Sequence, residues 1–104
     1  MSFYEKAVNI IKAIPYGKVA TYGQIAFLAG SPRSARQVSW VLHSSSEKNQ
    51  LPWHRIINSR GAISLKPGYG FELQKKLLED ENIVFNKKNC IDLDIYLWKP
   101  DLSG

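Results

Sequence analysis

The feature that most constrains the fold is a pair of helix starts that follow each other closely. Thr21 with Gln24 three residues later forms a capping box, and the short helix it opens is stopped by Gly30. Ser31-Pro32 comes next, a cap residue followed by proline at the first helical position, and predicts another helix to about His43. Two short capped helices joined by a tight glycine turn are typical of a helix-turn-helix unit.

The second helix of this pair has two chemically different sides. Its apolar side is predicted to be Ala35, Val38, Val41 and Leu42, and its outward side Arg33, Arg36, Gln37 and Trp40. Helical hairpins that bind no DNA share this pattern, so the pattern alone leaves both interpretations open. The net charge of +5 favours a polyanionic partner, and nucleic acid is the first candidate.

The rest of the chain predicts a small α+β fold. Ser2 and Glu5 form a capping box for a first helix that ends at Pro15-Tyr16-Gly17. Residues 62–64 suggest a short strand, and leucines 73, 77 and 78 a helix that ends near Glu81 or Asn82. Alternation over residues 91–97, paired with residues 83–85, predicts a terminal β-hairpin. We therefore expect one winged-helix-like helix-turn-helix domain over residues 1–104, with a small terminal β-hairpin.

Composition excludes several classes of protein. One cysteine, Cys90, rules out an internal disulfide framework and a cysteine-rich zinc site. The chain has no apolar run of membrane-spanning length, and its N-terminus, which carries Glu5, does not read as a secretory signal. We expect a monomer in an intracellular compartment, the cytoplasm with its nucleoid or a nucleus, with no membrane partner, no metal and no cofactor.

Several linked motifs resemble the DNA-binding domain of O6-alkylguanine-DNA alkyltransferases. In order they are Ile14-Pro15-Tyr16-Gly17-Lys18-Val19, Thr21-Tyr22-Gly23-Gln24-Ile25-Ala26, Ala35-Arg36-Gln37-Val38 and Pro52-Trp53-His54-Arg55-Ile56-Ile57. In the enzymes a cysteine that accepts the alkyl group stands where this chain has Trp53. That change resembles the alkyltransferase-like proteins, as do Asn58-Ser59-Arg60-Gly61 and Leu97-Trp98-Lys99-Pro100, and the resemblance covers nearly the whole chain.

The residue at the cysteine position decides whether alkyl transfer is expected. Direct transfer of an alkyl group needs a thiolate beside the alkyl carbon, whereas the indole of Trp53 is only a hydrogen-bond donor. Cys90 is far along the chain from His54, and we interpret it as a structural or surface cysteine. The prediction is therefore a protein that is not an enzyme.

What remains is recognition of the base. The O6 substituent of guanine is buried in a duplex, so inspecting it requires the nucleotide to be flipped out. The resemblance implies that Arg36 enters through the minor groove and fills the gap, and that Tyr22 crowds the target phosphate. The predicted DNA-binding residues are Thr21, which is a helix cap first, Tyr22, Ala35, Arg36, Gln37 and Ser39, which replaces a glycine common in the family.

The resemblance also implies a lesion pocket. Its predicted residues are Pro52, Trp53, His54, Arg55, Ser64, Lys66 and Tyr69, with Glu81 hydrogen-bonded to the histidine as support. Two residues stay open: Lys66 either stacks on the flipped base or is a solvated loop residue, and Trp40 either packs on a neighbouring loop or meets DNA. We favour packing for Trp40.

The function implied by the resemblance is binding of double-stranded DNA that contains O6-alkylguanine, without alkyl transfer, followed by handover to nucleotide excision repair proteins. One alternative is an enzyme that uses another residue, such as Cys90, to transfer or hydrolyse the alkyl group. Another is a regulator that reads DNA sequence, which would have no use for the Pro52-Trp53-His54-Arg55 segment.

Overall fold

A computed structural model describes residues 1–100, apart from the side chain of Ser46. Most of the described chain is helical, with one small parallel sheet, so the predicted α+β class is confirmed. The elements are α1 (Phe3–Lys12), β1 (Ala20–Thr21), α2 (Tyr22–Leu28), α3 (Ala35–Asn49), a short 3-10 helix (Trp53–Arg55), β2 (Ile56–Ile57), α4 (Phe71–Asp80) and α5 (Leu93–Tyr96).

The first two helices begin where their capping boxes predict. The hydroxyl of Ser2 accepts the backbone N–H of Glu5 at 3.1 Å, and that of Thr21 accepts the N–H of Gln24 at 3.0 Å. In each box the backbone N–H of the cap residue also donates to the side chain of the glutamate or glutamine. Gly30 follows α2 with φ +88°, a left-handed conformation that suits glycine at a helix end. These predictions are confirmed.

The start of α3 differs from the prediction. Residues 31–34 form a turn, in which the N–H of Ser34 donates to the carbonyl of Ser31 at 2.9 Å and the two hydroxyls lie 2.5 Å apart. Proline after serine favours a turn as readily as a helix start, and here the Ser31 hydroxyl bonds to Ser34. The helix therefore begins at Ala35, so Arg36 lies in its first turn.

The end of α3 also differs, because the segment predicted as a polar loop after His43 is helical to Asn49. The hydroxyl of Ser44 bonds back to the carbonyl of Trp40 at 2.9 Å, and the Ser45 hydroxyl is hydrogen-bonded to that of Tyr4 on α1. These hydrogen bonds satisfy the serine hydroxyl groups, whose polarity had suggested a loop. The helix stops at Gln50, whose φ is +52°.

The predicted terminal β-hairpin is wrong. Residues 93–96 form α5, where the side chain of Asp92 accepts the N–H of Asp94 at 2.9 Å as a cap. Leu93 and Tyr96, three residues apart, pack together on a buried cluster, so the alternating pattern was a short helix. Phe85 with Ile91 and Ala62 with Cys90 form only isolated antiparallel bridges, so residues 62–64 are not a strand either.

The sheet is parallel and joins distant parts of the chain. Ala20 pairs with Ile56 and Thr21 with Ile57. On the other side of β1, the N–H of Val19 donates to the carbonyl of Tyr96 at 2.9 Å, and the N–H of Trp98 donates to the carbonyl of Val19 at 2.7 Å. Segments from three regions therefore meet at residues 19–21.

Two hydrophobic clusters cover opposite faces of this sheet. Ala20 and Ile56 face a cluster formed mainly with α1, α2 and α3, whereas Val19 and Ile57 face a smaller one. The smaller cluster is completed by Leu78, Ile83 and Ile91. The 3-10 helix immediately precedes β2, whose residues Ile56 and Ile57 each belong to one of the two clusters. Within residues 1–100 no helix is both long and apolar enough to cross a membrane.

Candidate functional site

A cavity of about 790 Å³ opens between α3, the 3-10 helix and the loop that precedes α4. Its volume falls within the range of about 300–1,000 Å³ that is usual for small-molecule sites. The residues that line it are Tyr22, Ser39, Trp40, Leu42, His43, Trp53, Ser64, Leu65, Tyr69, Gly70 and Gln74.

The cavity brings together part of the predicted pocket. Trp53, Ser64 and Tyr69 line it, and so do Tyr22 and Ser39, which the sequence had placed with the DNA-binding residues. The remaining pocket candidates are not among the lining residues that the structure describes: Pro52, His54, Arg55 and Lys66. Lys66 is exposed in the loop before α4, whereas the other three are half-buried beside Trp53.

The other predicted DNA-binding residues lie near the start of α3 and α2. Arg36 and Gln37 are exposed in the first turn of α3, and Ala35 beside them is half-buried. Thr21 is half-buried, with its hydroxyl engaged as the cap of α2. Ser39 follows on α3 at the cavity wall. A single helix therefore carries both the exposed cationic start and one side of the cavity.

Behind Trp53, a buried carboxylate holds the next two residues. Glu81, only 7% exposed, lies 2.6 Å from His54 Nε2 through its Oε2. The same carboxylate accepts Arg55 Nε and Nη2 at 3.0 and 2.9 Å, and its Oε1 accepts the N–H of Gly17 at 2.7 Å. The predicted hydrogen bond between His54 and Glu81 is confirmed.

The environment of Glu81 keeps it ionised. Burial on its own would raise the pKa of this carboxyl, but hydrogen bonds from Arg55, Gly17 and His54 outweigh burial and hold the pKa below its ordinary value. An ionised carboxylate only accepts hydrogen bonds, so His54 Nε2 carries the proton that it shares with Glu81. The imidazole is thereby held in one orientation. Its ring meets that of Trp53 edge to face, with the centroids 6.1 Å apart.

Gln74 on α4 supports the other side of the 3-10 helix, and the sequence did not identify it. It is 3% exposed, and its Nε2 donates to the carbonyls of His54 at 3.0 Å and Ile56 at 2.9 Å. The available signal was its spacing, because Gln74 lies one helical turn before the buried Leu78 and on the same face. A polar residue on that face must have partners, and these two carbonyls are the partners.

We expect Gln74→Leu to lower the free energy of unfolding by about 2 kcal/mol, because leucine leaves two backbone carbonyls without the hydrogen bonds that Gln74 donates to them. The measurement is urea unfolding followed by circular dichroism. Gln37→Leu is the matched control, since Gln37 is exposed, and its change should stay within about 0.5 kcal/mol. Equal stabilities for the two variants would show that Gln74 does not hold the 3-10 helix.

Tyr22 is held at the cavity wall by packing. Its ring packs against the larger hydrophobic cluster, and Ser64 lines the same cavity. Burial raises the pKa of Tyr22 above its ordinary value, with the Ser64 side chain acting in the opposite direction. The phenol is therefore uncharged at neutral pH and adds no charge repulsion toward a phosphate.

Cys90 lies outside this cavity. It is half-buried at a separate depression of about 320 Å³, and its Sγ is 3.6 Å from the carbonyl of Lys88. Within residues 1–100 no group of three or more histidine, cysteine, aspartate or glutamate side chains is arranged to hold a metal ion.

Comparison with known proteins gives the same family in each case. Residues 2–83 match the domain described as "6-O-methylguanine DNA methyltransferase, DNA binding domain". The chain is 45% identical over 97 residues to the DNA base-flipping protein of Escherichia coli K12, which covers 93% of this chain and 74% of that protein. It is 41% identical over 103 residues to alkyltransferase-like protein 1 of Schizosaccharomyces pombe, covering 94% and 95% of the two chains.

The backbone agrees with these relationships. The crystal structure of S. pombe Atl1 in complex with damaged DNA containing O6-carboxymethylguanine superposes with a TM-score of 0.82, covers 94% of this chain and 95% of that one, and is 41% identical in sequence. Motifs, fold and nearly complete coverage all agree. The chain belongs to the alkyltransferase-like proteins, the family that includes the DNA base-flipping proteins.

Proposed function

We propose that this protein binds double-stranded DNA containing O6-alkylguanine from the minor groove, flips the damaged nucleotide into the cavity, and leaves the alkyl group in place. The observation that carries this proposal is the position of the cavity, open beside the helix that presents Arg36 and with Trp53 in its wall. The relatives support it, since one is named as a DNA base-flipping protein and another has been crystallised with DNA containing O6-carboxymethylguanine.

In this proposal α2 and α3 act as a helix-turn-helix unit. Arg36 inserts into the duplex and occupies the gap left by the flipped base, where its planar guanidinium stacks and donates to the orphaned partner. Arg36 lies in the first turn of α3 and its side chain is exposed, so it is accessible for insertion into the duplex. Thr21, Ala35, Gln37 and Ser39 make up the surrounding contact surface.

Tyr22 and the cavity wall receive the nucleotide. The uncharged phenol of Tyr22 crowds the target phosphate, and Trp53, Ser64 and Tyr69 surround the base. His54 and Arg55 shape the wall from behind through their bonds to Glu81, and the carbonyl of Pro52 accepts the N–H of Arg55. Lys66 is exposed and outside the lining, so we assign it contact with the DNA backbone in preference to stacking on the base.

No alkyl transfer is proposed because the cavity wall carries an indole where transfer needs a thiolate. His54 is committed to Glu81, and the one thiol, Cys90, belongs to a different depression. We infer a monomeric, single-domain, intracellular lesion sensor that uses no cofactor and presents damage to nucleotide excision repair proteins.

The decisive experiment compares two duplexes that differ only in O6-methylguanine or guanine, by fluorescence anisotropy at one physiological salt concentration. We expect at least tenfold tighter binding to the lesion, because a damaged pair resists flipping less and its substituent gains contacts in the cavity. Mass spectrometry of the recovered DNA should show every alkyl group still attached. Equal binding to both duplexes contradicts lesion recognition, and loss of alkyl groups would mean that the protein is an enzyme.

A further inference from the structure

We propose that Trp40 is a specificity-determining residue, whose indole stacks on the ring of an aromatic O6 substituent such as benzyl once the nucleotide has entered the cavity. This inference rests on the proposed function, because it assigns a role within the same cavity. Trp40 is 68% exposed and yet lines the cavity, which means that its indole is free to contact whatever enters.

The position of Trp40 on α3 places it on the path of a flipped base. It lies four residues after Arg36, so the two side chains share one face of the helix. His43, three residues further on, also lines the cavity. A nucleotide displaced by the arginine would therefore pass beside the indole on its way into the cavity.

A structural role does not account for this tryptophan. Among the described residues, neither hydrophobic cluster includes Trp40, although both recruit partly buried apolar side chains from several elements. Large aromatic residues are usually buried for most of their surface, and those left exposed around a concavity mark binding sites. The expectation that Trp40 packs on a neighbouring loop is not supported by its exposure.

The chemistry of the lining favours an uncharged aromatic group. Opposite α3, the loop before α4 contributes Leu65 and Tyr69, and Tyr69 is a second exposed aromatic side chain, with 79% of its surface accessible. The lining residues described by the structure include no lysine, arginine, aspartate or glutamate. Stacked and edge-to-face aromatic pairs gain stability beyond their buried area, which for one ring corresponds to roughly two- to tenfold in affinity.

The test measures affinity for three duplexes that differ at one position: guanine, O6-methylguanine and O6-benzylguanine. Wild-type protein is compared with Trp40→Ala, Trp40→Phe and the control Phe27→Ala, an aromatic residue of α2 that is 60% exposed and is not among the lining residues. We expect the wild type to prefer benzyl to methyl. Trp40→Ala should reduce that preference roughly two- to tenfold, Trp40→Phe should restore most of it, and Phe27→Ala should leave it unchanged.

The outcomes separate this assignment from the proposed function. If Trp40→Ala weakens binding to all three duplexes equally, Trp40 is a general DNA contact and the assignment is overturned. An unchanged preference for benzyl over methyl in that variant overturns it as well. If instead the wild type does not distinguish O6-methylguanine from guanine, the proposed function itself fails. Unfolding midpoints of all variants, expected to agree with wild type, confirm that folding is intact.

Discussion

Glu81→Gln is expected to lower the free energy of unfolding by about 3 kcal/mol, because it removes the charge that balances a half-buried guanidinium. In the native protein one carboxylate accepts hydrogen bonds from His54, Arg55 and the N–H of Gly17. Glutamine keeps the shape but has a single acceptor oxygen and no charge. Arg55 would then be left half-buried without its counterion.

Chemical unfolding of the two proteins at pH 7 measures this difference. The matched control is Asp80→Asn, which removes the neighbouring carboxylate from its exposed 3.5 Å ion pair with Lys76. An exposed pair of this kind contributes less than about 1 kcal/mol, so the control should unfold nearly as wild type does. A loss for Glu81→Gln no larger than that of the control would show that the buried network does not stabilise the fold.

The same network makes stability depend on acid. The pKa of Glu81 is lower in the folded protein than its ordinary value of 4.5, so its contribution is complete above that value and is lost as the pH falls through the folded-state pKa. The difference in stability between wild type and Glu81→Gln should therefore shrink as the pH is lowered below about 4.5. A difference that stayed constant down to pH 3 would contradict an ionised Glu81.

Arg36→Ala is expected to weaken binding to the O6-methylguanine duplex by about 30- to 1,000-fold, the range of a truncated hot-spot arginine. The physical reason is that the gap left in the base stack would have no side chain to fill it. Arg36→Lys keeps the charge but lacks the planar, multiply donating group, so it should recover only a small part of the affinity. Anisotropy titrations at fixed salt measure both effects.

The control for Arg36 is Lys88→Ala, which removes one positive charge from an exposed turn away from the cavity lining. This variant should bind within about threefold of wild type, the effect of one screened surface charge. Since Arg36 is exposed, neither variant should change the unfolding midpoint. If the alanine variants at positions 36 and 88 lost affinity equally, Arg36 would be acting as one more positive charge and not as the inserted side chain.

Local signals in the sequence predicted the parts of the fold that depend on neighbouring residues. Both capping boxes require only atoms three residues apart, and both formed. The start of α3 was misplaced because a serine before proline satisfies a turn and a helix cap equally well. The prediction of a terminal hairpin was wrong for a different reason. The Asp92 cap and the packing of Leu93 and Tyr96 against a distant cluster favour a helix over a strand there.

In the candidate site, too, features that depend on neighbouring residues were predicted, whereas features that depend on contacts between distant parts of the chain were not. Of the motif Pro52-Trp53-His54-Arg55, only Trp53 lines the cavity. The resemblance predicted the bond between His54 and Glu81, and the structure has that bond. Gln74 and Leu65 reach the cavity only through the packing of α4 and its preceding loop. The spacing of Gln74 and Leu78 indicates a shared helix face, but it does not indicate which part of the chain that face meets. The sequence left the role of Trp40 open, and only the structure shows that its indole is exposed at the cavity.

Val19 exchanges backbone hydrogen bonds with Tyr96 and Trp98, which are made much later than Val19 during synthesis of the chain. During synthesis α1, α2 and α3 are made before residues 96–98, so Val19 lacks its backbone partners Tyr96 and Trp98 until those residues have been added. Gln24 in the first turn of α2 also waits for the carbonyl of Trp98, to which it donates at 2.7 Å. The segment that carries Tyr22 is therefore completed only after translation has passed residue 98, and a protease that removed those residues would loosen it from a distance.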